Sequence, residues 1–169
     1  AMAQQCVGGV EGGVFVGATP DIFYLKDTNG DGVADVRKVV FTGFASDYAP
    51  YDTNKLNVQA MFNSFNWGLD NRIHGATSMS GGKVTAVENP STPVELRGRD
   101  FSFDPKTFTL TAEAGGAQHG LSFDNTGRKF LCSNSDHIQT VMYDDRYAAR
   151  NPFYAMPGPR VSIAVDGPA

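Results

Sequence analysis

Cysteine is scarce in this chain of 169 residues, which contains only Cys6 and Cys132. The two lie far apart, and neither belongs to a Cys-x-x-Cys or Cys-x-x-Cys-His motif. The sequence therefore excludes a redox dithiol motif and a site for covalent haem attachment. The sequence is consistent both with a single long-range disulfide between them and with two free thiols.

Clustered positive charge and long apolar runs are also missing. The chain has 14 Lys and Arg residues against 18 Asp and Glu, a net charge of −4, and no basic stripe, which disfavours nucleic-acid binding. Its apolar runs are too short to cross a bilayer. Segment 1–11 lacks the charged and apolar regions of a signal peptide, and its first residues, Ala1 and Met2, are typical of cloning remnants. The common motifs of serine hydrolases, zinc proteases and nucleotide-binding enzymes are absent.

Glycine and aromatic residues are plentiful, with 19 Gly, 12 Phe and 6 Tyr beside 9 Pro. This composition favours many short strands joined by tight turns. We therefore predict one all-β domain, long enough to bury a core.

The stretch DTNGDGVAD at 27–35 resembles a calcium loop. Its spacing follows the first nine positions of an EF-hand loop, but the twelfth position is Lys38 and the flanking segments are typical of strands. Two interpretations follow: a hairpin turn of Asx and Gly residues, or a strand-borne calcium site between the outer strands of a β unit. The metal ligands in the second interpretation are Asp27, Asn29, Asp31, Asp35 and the Val33 carbonyl.

A repeat appears when the chain is aligned with itself at an offset of 56 residues. NSFNWGLDNRIHGATS (63–78) then lies over HGLSFDNTGRKFLCSN (119–134) without a gap. Repeated strand–turn–strand units in an all-β chain indicate a β-propeller. We predict a partial propeller of about three blades of a probable six, with blade regions at 12–55, 56–117 and 118–169. Open sheet edges would favour a homo-oligomer, such as a dimer that closes a ring.

The repeat places Asn63 and His119 at equivalent positions before two strands, where a propeller would expose them at the end of its channel. Asn134, Asp136 and His137 follow the last repeated strand. A catalytic Asp136–His137 pair would need a turn, because neighbouring residues of a strand point to opposite faces. The alternative is that these side chains only support turns. His74 is predicted to be a packed or hydrogen-bonded strand histidine.

Four stretches, at 20–44, 57–76, 96–105 and 130–153, resemble the secreted "membrane-bound dehydrogenase" propellers of planctomycetes and verrucomicrobia. The resemblance covers nearly the whole chain. It implies a six-bladed fold similar to quinoprotein glucose and sorbosone dehydrogenases, a secreted or periplasmic location and a parent protein fused to cytochrome c. It also implies a pyrroloquinoline quinone cofactor, for which we predict Asn63, Arg72 and Asn134 as binding residues. His119 is the first candidate for the catalytic base, and Asp136 and His137 are the other candidate catalytic residues.

Three functions are thus expected. The first is a segment of a propeller that oxidises a sugar or alcohol. The second is a calcium-dependent hydrolase of lactones or phosphotriesters, with Asn63 and Asp136 as metal ligands. The third is a structural or binding module without catalysis.

Overall fold

The computed structural model describes residues 5–46, 60–90 and 92–167. Over this part of the chain the fold is all-β, with 44% strand and 6% helix. The fold class predicted from composition is therefore confirmed. No helix in the described residues is long and apolar enough to span a membrane.

The first sheet begins as an antiparallel meander, in which each strand pairs with the next strand along the chain. Its strands are β1 (Gln5–Gly8), β2 (Val14–Ala18), β3 (Asp21–Lys26) and β4 (Val36–Phe44). A later hairpin, β7 (Gly82–Ala86) and β8 (Val94–Glu95), adds to the β4 edge and extends this sheet to six strands. The sheet curls into a half-barrel. β1 lies inside segment 1–11, which the sequence prediction had left outside the propeller.

Two four-stranded antiparallel sheets follow. The second sheet contains β5 (Asn63–Trp67), β6 (Ile73–Ala76), β9 (Asp100–Phe103) and β10 (Leu110–Glu113). The third contains β11 (His119–Phe123), β12 (Lys129–Ser133), β13 (Asp136–Val141) and β14 (Arg160–Ser162), with the short helix α1 (Asp145–Ala148) before β14. The two repeated segments thus form the first hairpins of the second and third sheets. The predicted boundary between blades at 55 and 56 lies outside the described residues.

The first strands of the three sheets lie side by side. Trp67 of β5 donates its indole N–H to the Gly8 carbonyl of β1 at 3.0 Å. On its other side, β5 binds β11: Asn66 donates to the Leu121 carbonyl at 2.6 Å, and the Gly120 N–H donates to Ser64 Oγ at 3.0 Å. Three neighbouring antiparallel meanders with adjacent first strands are compatible with a partial propeller.

The main core lies between the first and second sheets and is aromatic. Phe15, Phe41 and Phe103 are fully buried, and the ring centroids of Phe15 and Phe41 each lie 5.1 Å from that of Phe103. Between the second and third sheets the apolar core is smaller. It consists of four buried residues, Ala76, Ala117, Leu121 and Leu131. Polar groups therefore carry more of the contact between these two sheets.

One such polar contact is a buried ion pair. Lys129 of β12 donates to the Ala114 carbonyl at 2.9 Å, and its Nζ lies 3.7 Å from Asp100 Oδ2. Asp100 is fully buried, and its other oxygen accepts the Ala117 N–H at 2.9 Å. Gly115 is required here because its φ is +146° and a Cβ atom would collide with the Asp100 carboxylate.

Candidate functional site

Asn63 and His119 occupy the same end of two adjacent strands. The Asn63 amide donates to the Met61 carbonyl at 2.9 Å and to the carbonyl of Gln118, the residue before His119, at 3.0 Å. The Asn134 N–H donates to Gln118 Oε1 at 3.1 Å. We call Asn63, Gln118, His119 and Asn134 the upper polar cluster.

Gln118 links the members of this cluster, and sequence reasoning missed it. The repeat alignment places Phe62 opposite Gln118, so no repeated polar residue marks the position. Its contacts to Asn63 and Asn134 become apparent only from the structure, in which β5 and β11 lie side by side.

The three histidines have different surroundings. The His119 side chain is exposed, and within the described residues its ring has no hydrogen bond or ion pair. His137 is exposed too, but its Nε2 lies 3.5 Å from Asp166 Oδ1. His74 is buried, and its Nε2 lies 3.1 Å from Asp70 Oδ1, as expected for a hydrogen-bonded strand histidine.

Asp136 and His137 do not form a catalytic pair. Asp136 is buried, and its oxygens accept hydrogen bonds from Gln139 at 3.0 Å and from Ser162 at 3.2 Å. His137 faces solvent on the opposite side of β13. This alternation follows from the extended strand, because no turn intervenes between the two residues.

Arg72 lies at the other end of β5 from Asn63, beside the turn that leads into β6. Its guanidinium donates to Ser102 Oγ at 2.8 Å, to the Thr109 carbonyl at 2.9 Å and to Thr111 Oγ1 at 3.0 Å. Arg72 therefore ties the strands of the second sheet together, and the structure does not bring it to the upper polar cluster.

The loop at 27–35 connects β3 to β4, the outer two strands of the first meander. Its carboxylates accept hydrogen bonds from the loop's own N–H groups. Asp27 accepts from Gly30 at 2.7 Å and from Gly32 at 2.8 Å, and Asp31 accepts from Val33 at 2.7 Å. Asn29 Nδ2 lies between the carboxylates, 3.2 Å from Asp31 Oδ2 and 3.4 Å from Asp35 Oδ1.

This arrangement is that of an Asx-rich hairpin turn, the first of the two interpretations. No group of three or more His, Cys, Asp or Glu side chains among the described residues is placed to hold a metal ion. Calcium binding by this loop stays a prediction from sequence.

We expect Asp27→Ala to lower the Tm equally in calcium and in a chelator, because the backbone N–H groups of Asn29, Gly30 and Gly32 lose their acceptor. The N–H groups of Gly32 and Gly30 hold the Asp27 pKa below its usual range. The stabilisation is therefore present above the ordinary carboxyl pKa and is lost as the pH falls below it. Thermal scans at several pH values would check both points, with the exposed Asp166→Ala as control. A larger loss of Tm in calcium than in the chelator would show that the loop holds the ion.

Cys132 is a free thiol, half-buried in β12, and its Sγ contacts the His119 carbonyl oxygen. The side chain of Cys6 lies outside the described residues.

Comparison with known proteins gives one result. The sequence profile of the DUF7133 family, described as a domain of unknown function, matches residues 4–168. Neither the comparison with curated proteins nor the comparison with solved structures gave a match.

Proposed function

The chain belongs to the DUF7133 family, and we propose that it forms part of a dehydrogenase-like propeller that oxidises a sugar or alcohol. In this proposal His119 accepts the hydroxyl proton of the substrate. The resemblance to secreted dehydrogenase propellers supports the reaction class, and by the same resemblance we propose a secreted or periplasmic location with a cytochrome as electron acceptor.

The observation that carries the proposal is that the His119 imidazole is both exposed and unpaired within the described residues. It lies at the start of β11, beside an amide-rich cluster. An imidazole that is free to bind a hydroxyl proton is the usual general base of enzymes. His74 is buried with its Nε2 bound to Asp70, and the Nε2 of His137 lies 3.5 Å from Asp166 Oδ1.

A bound pyrroloquinoline quinone would supply the two-electron acceptor that this oxidation requires. The predicted ligands Asn63, Arg72 and Asn134 do not fit as its binding site. The amide of Asn63 and the guanidinium of Arg72 are engaged inside the protein, and Arg72 lies at the wrong end of β5.

The calcium-dependent hydrolase has less support. Asn63 donates to two backbone carbonyls, and both oxygens of Asp136 accept hydrogen bonds. No observation favours them as metal ligands. A binding module without catalysis would differ from both enzymes in being folded but having no turnover.

We also propose that a second copy completes the ring. The last strand of the third sheet is an exposed edge, and Val161 and Ile163 are 37% and 42% exposed there. Closed two-fold dimers are the commonest oligomers, and closure would remove the open edges.

We expect His119→Gln to lower kcat about 10²-fold or more, the usual contribution of a general base, and His137→Gln to leave it unchanged. The assay is dye reduction on a panel of sugars and alcohols, run with and without added pyrroloquinoline quinone. Light scattering on the same samples would give the molar mass. Equal rates for wild type and His119→Gln would contradict the role of His119. A folded dimer without activity on any substrate would leave the binding module without catalysis as the remaining function.

A further inference from the structure

A cleft of about 760 Å³ lies between the second and third sheets, at the end of β5 and β11 opposite the upper polar cluster. Its two walls contain the equivalent turns of the two repeated hairpins, at 68–70 and at 126–128. These turns lie close together, because a Cβ atom on Gly127 would be 3.4 Å from Leu69 Cδ1. The volume is in the range of small-molecule binding sites, which commonly lie between structural units.

Asp70 supplies a fixed carboxylate on the first wall. Its oxygens lie 3.1 and 3.2 Å from His74 Nε2, and one of them accepts the Arg72 N–H at 3.1 Å, yet its side chain is 48% exposed. Burial of Asp70 alone would raise its pKa, but the hydrogen bond and charge of His74 outweigh burial and lower the pKa. Asp70 is therefore ionised at neutral pH and open to a ligand. Glu113 on the same wall is engaged, because it accepts the Ser102 hydroxyl at 2.6 Å.

His74 holds the Asp70 carboxylate in place from below. The imidazole is buried, and its Nδ1 has no hydrogen-bond partner among the described residues. A buried nitrogen without a partner costs stability, and here the ring keeps that cost while its other nitrogen orients an exposed carboxylate. Gly68 leaves room for the pair, because a Cβ atom there would lie 2.5 Å from Asp70 Oδ1 and 2.6 Å from His74 Nε2. His74 is thus a positioning residue for Asp70.

Arg128 supplies the opposite charge on the second wall. It is exposed, and within the described residues its guanidinium makes no hydrogen bond or ion pair. Its charge contributes to the lowered pKa of Asp124, for which the Thr126 hydroxyl is the larger cause. Arg72, at the equivalent position of the first repeated hairpin, donates instead to three acceptors of the second sheet. The same residue type at the same turn is therefore engaged in one repeat and open to a ligand in the other.

The remaining charged side chains of the second wall already have partners. Arg146 Nη2 lies 3.1 Å from Asp144 Oδ2, and Asp145 is paired with Arg99. The ammonium of Lys129 is directed away from the cleft, into the buried contacts between the two sheets. Among the described residues that line the cleft, one open carboxylate and one open guanidinium are left, on facing walls.

We propose that this cleft binds a zwitterionic ligand, an amino acid or a short peptide, whose ammonium group donates to Asp70 and whose carboxylate accepts from Arg128. An ammonium group carries donors alone and a carboxylate acceptors alone, so each matches one wall and is repelled by the other. A neutral or singly charged ligand would leave at least one of the two protein charges without a partner. The site is separate from the upper polar cluster and does not depend on the activity proposed there.

The test is binding of alanine and of alanyl-alanine to the whole chain, measured by isothermal titration and by saturation-transfer NMR at neutral pH and low salt. Each probe is compared with its N-acetyl derivative, which lacks the ammonium group, and with its amide, which lacks the carboxylate. We expect saturable binding of the two parent ligands. Each derivative should bind about tenfold more weakly or worse, because it loses a charge-assisted hydrogen bond. Tighter binding of the dipeptide would assign a peptide ligand, and tighter binding of alanine a free amino acid.

Two variants connect each charge of the ligand to one wall. Asp70→Asn should weaken binding of the parent ligand about tenfold and leave binding of the N-acetyl derivative unchanged, since that derivative has no ammonium group to lose. Arg128→Gln should weaken the parent ligand similarly and leave the amide unchanged. The controls Asp166→Asn and Arg150→Gln remove exposed charges outside the cleft and should bind like the wild type, as should His119→Gln.

Two results would overturn this assignment. One is no saturable binding of either parent ligand at the highest soluble concentration. The other is binding that both Asp70→Asn and Arg128→Gln leave unchanged, which would place the ligand elsewhere on the protein.

Discussion

Replacing Phe15 by alanine should lower the free energy of unfolding by about 3–5 kcal/mol, the usual loss for a buried phenylalanine. The ring is fully buried and meets Tyr24, Phe103 and Phe108 at centroid distances of 5.3, 5.1 and 6.4 Å. It therefore joins the first sheet to the second. Since domains are stable by only about 5–15 kcal/mol, the variant should unfold at a much lower denaturant concentration.

The matched control is Phe153→Ala, which removes a side chain that is 97% exposed. We expect this variant to change stability by less than about 0.5 kcal/mol, as for most surface substitutions. Urea unfolding followed by fluorescence and by circular dichroism would measure both. Equal midpoints for the two variants would mean that the aromatic core is not where the structure places it.

Lys129→Met should destabilise the domain by about 3–5 kcal/mol, the usual result of leaving a buried charge without its partner. Asp100 has no exposed surface, and Lys129 is its counter-ion. The double variant with Asp100→Asn should recover much of the loss, because asparagine keeps an oxygen for the Ala117 N–H without the charge. Lys38→Met is the surface control. It breaks the exposed Lys38–Glu88 ion pair of 2.6 Å and should cost under about 1 kcal/mol.

The same pair makes stability depend on pH in a defined direction. Burial raises the pKa of Asp100, and the charge of Lys129 only partly opposes this effect. Between the ordinary carboxyl pKa and the raised one, the folded state therefore holds a proton that the unfolded state has lost, and above that range Asp100 and Lys129 form the charged pair. The contribution of Asp100 to the unfolding free energy is therefore greatest below the ordinary carboxyl pKa and falls as the pH rises above it.

Unfolding curves of the wild type and of Asp100→Asn across this pH range would isolate that contribution. We expect Asp100→Asn to gain stability relative to the wild type as the pH rises from about 4, the ordinary carboxyl pKa. A constant difference between the two proteins would contradict a raised pKa for Asp100.

Local patterns in the sequence predicted much of this fold. The abundance of glycine and aromatic residues indicated an all-β chain, and the repeat located the hairpins that became β5–β6 and β11–β12. The run of Asx and Gly residues at 27–35 marked a hairpin between outer strands. These features depend on neighbours along the chain, because strand alternation and turn chemistry are local.

The candidate site was harder to predict because its contacts join distant segments. Residue type and repeat position indicated Asn63 and His119, but not Gln118, whose carbonyl meets Asn63 from 55 residues away. Arg72 resembled a ligand in the sequence, and only the position of β9 and β10 beside it shows that its donors are engaged.

The sequence by itself determined the strands, their turns and the opposite facing of Asp136 and His137, because each depends on backbone geometry over a few residues. The tertiary structure decided that β7 joins the first sheet, that Lys129 faces Asp100 and that Asp70 borders a cleft. Those outcomes depend on which sheet faces lie together, and burial of apolar surface across the whole chain decides that arrangement.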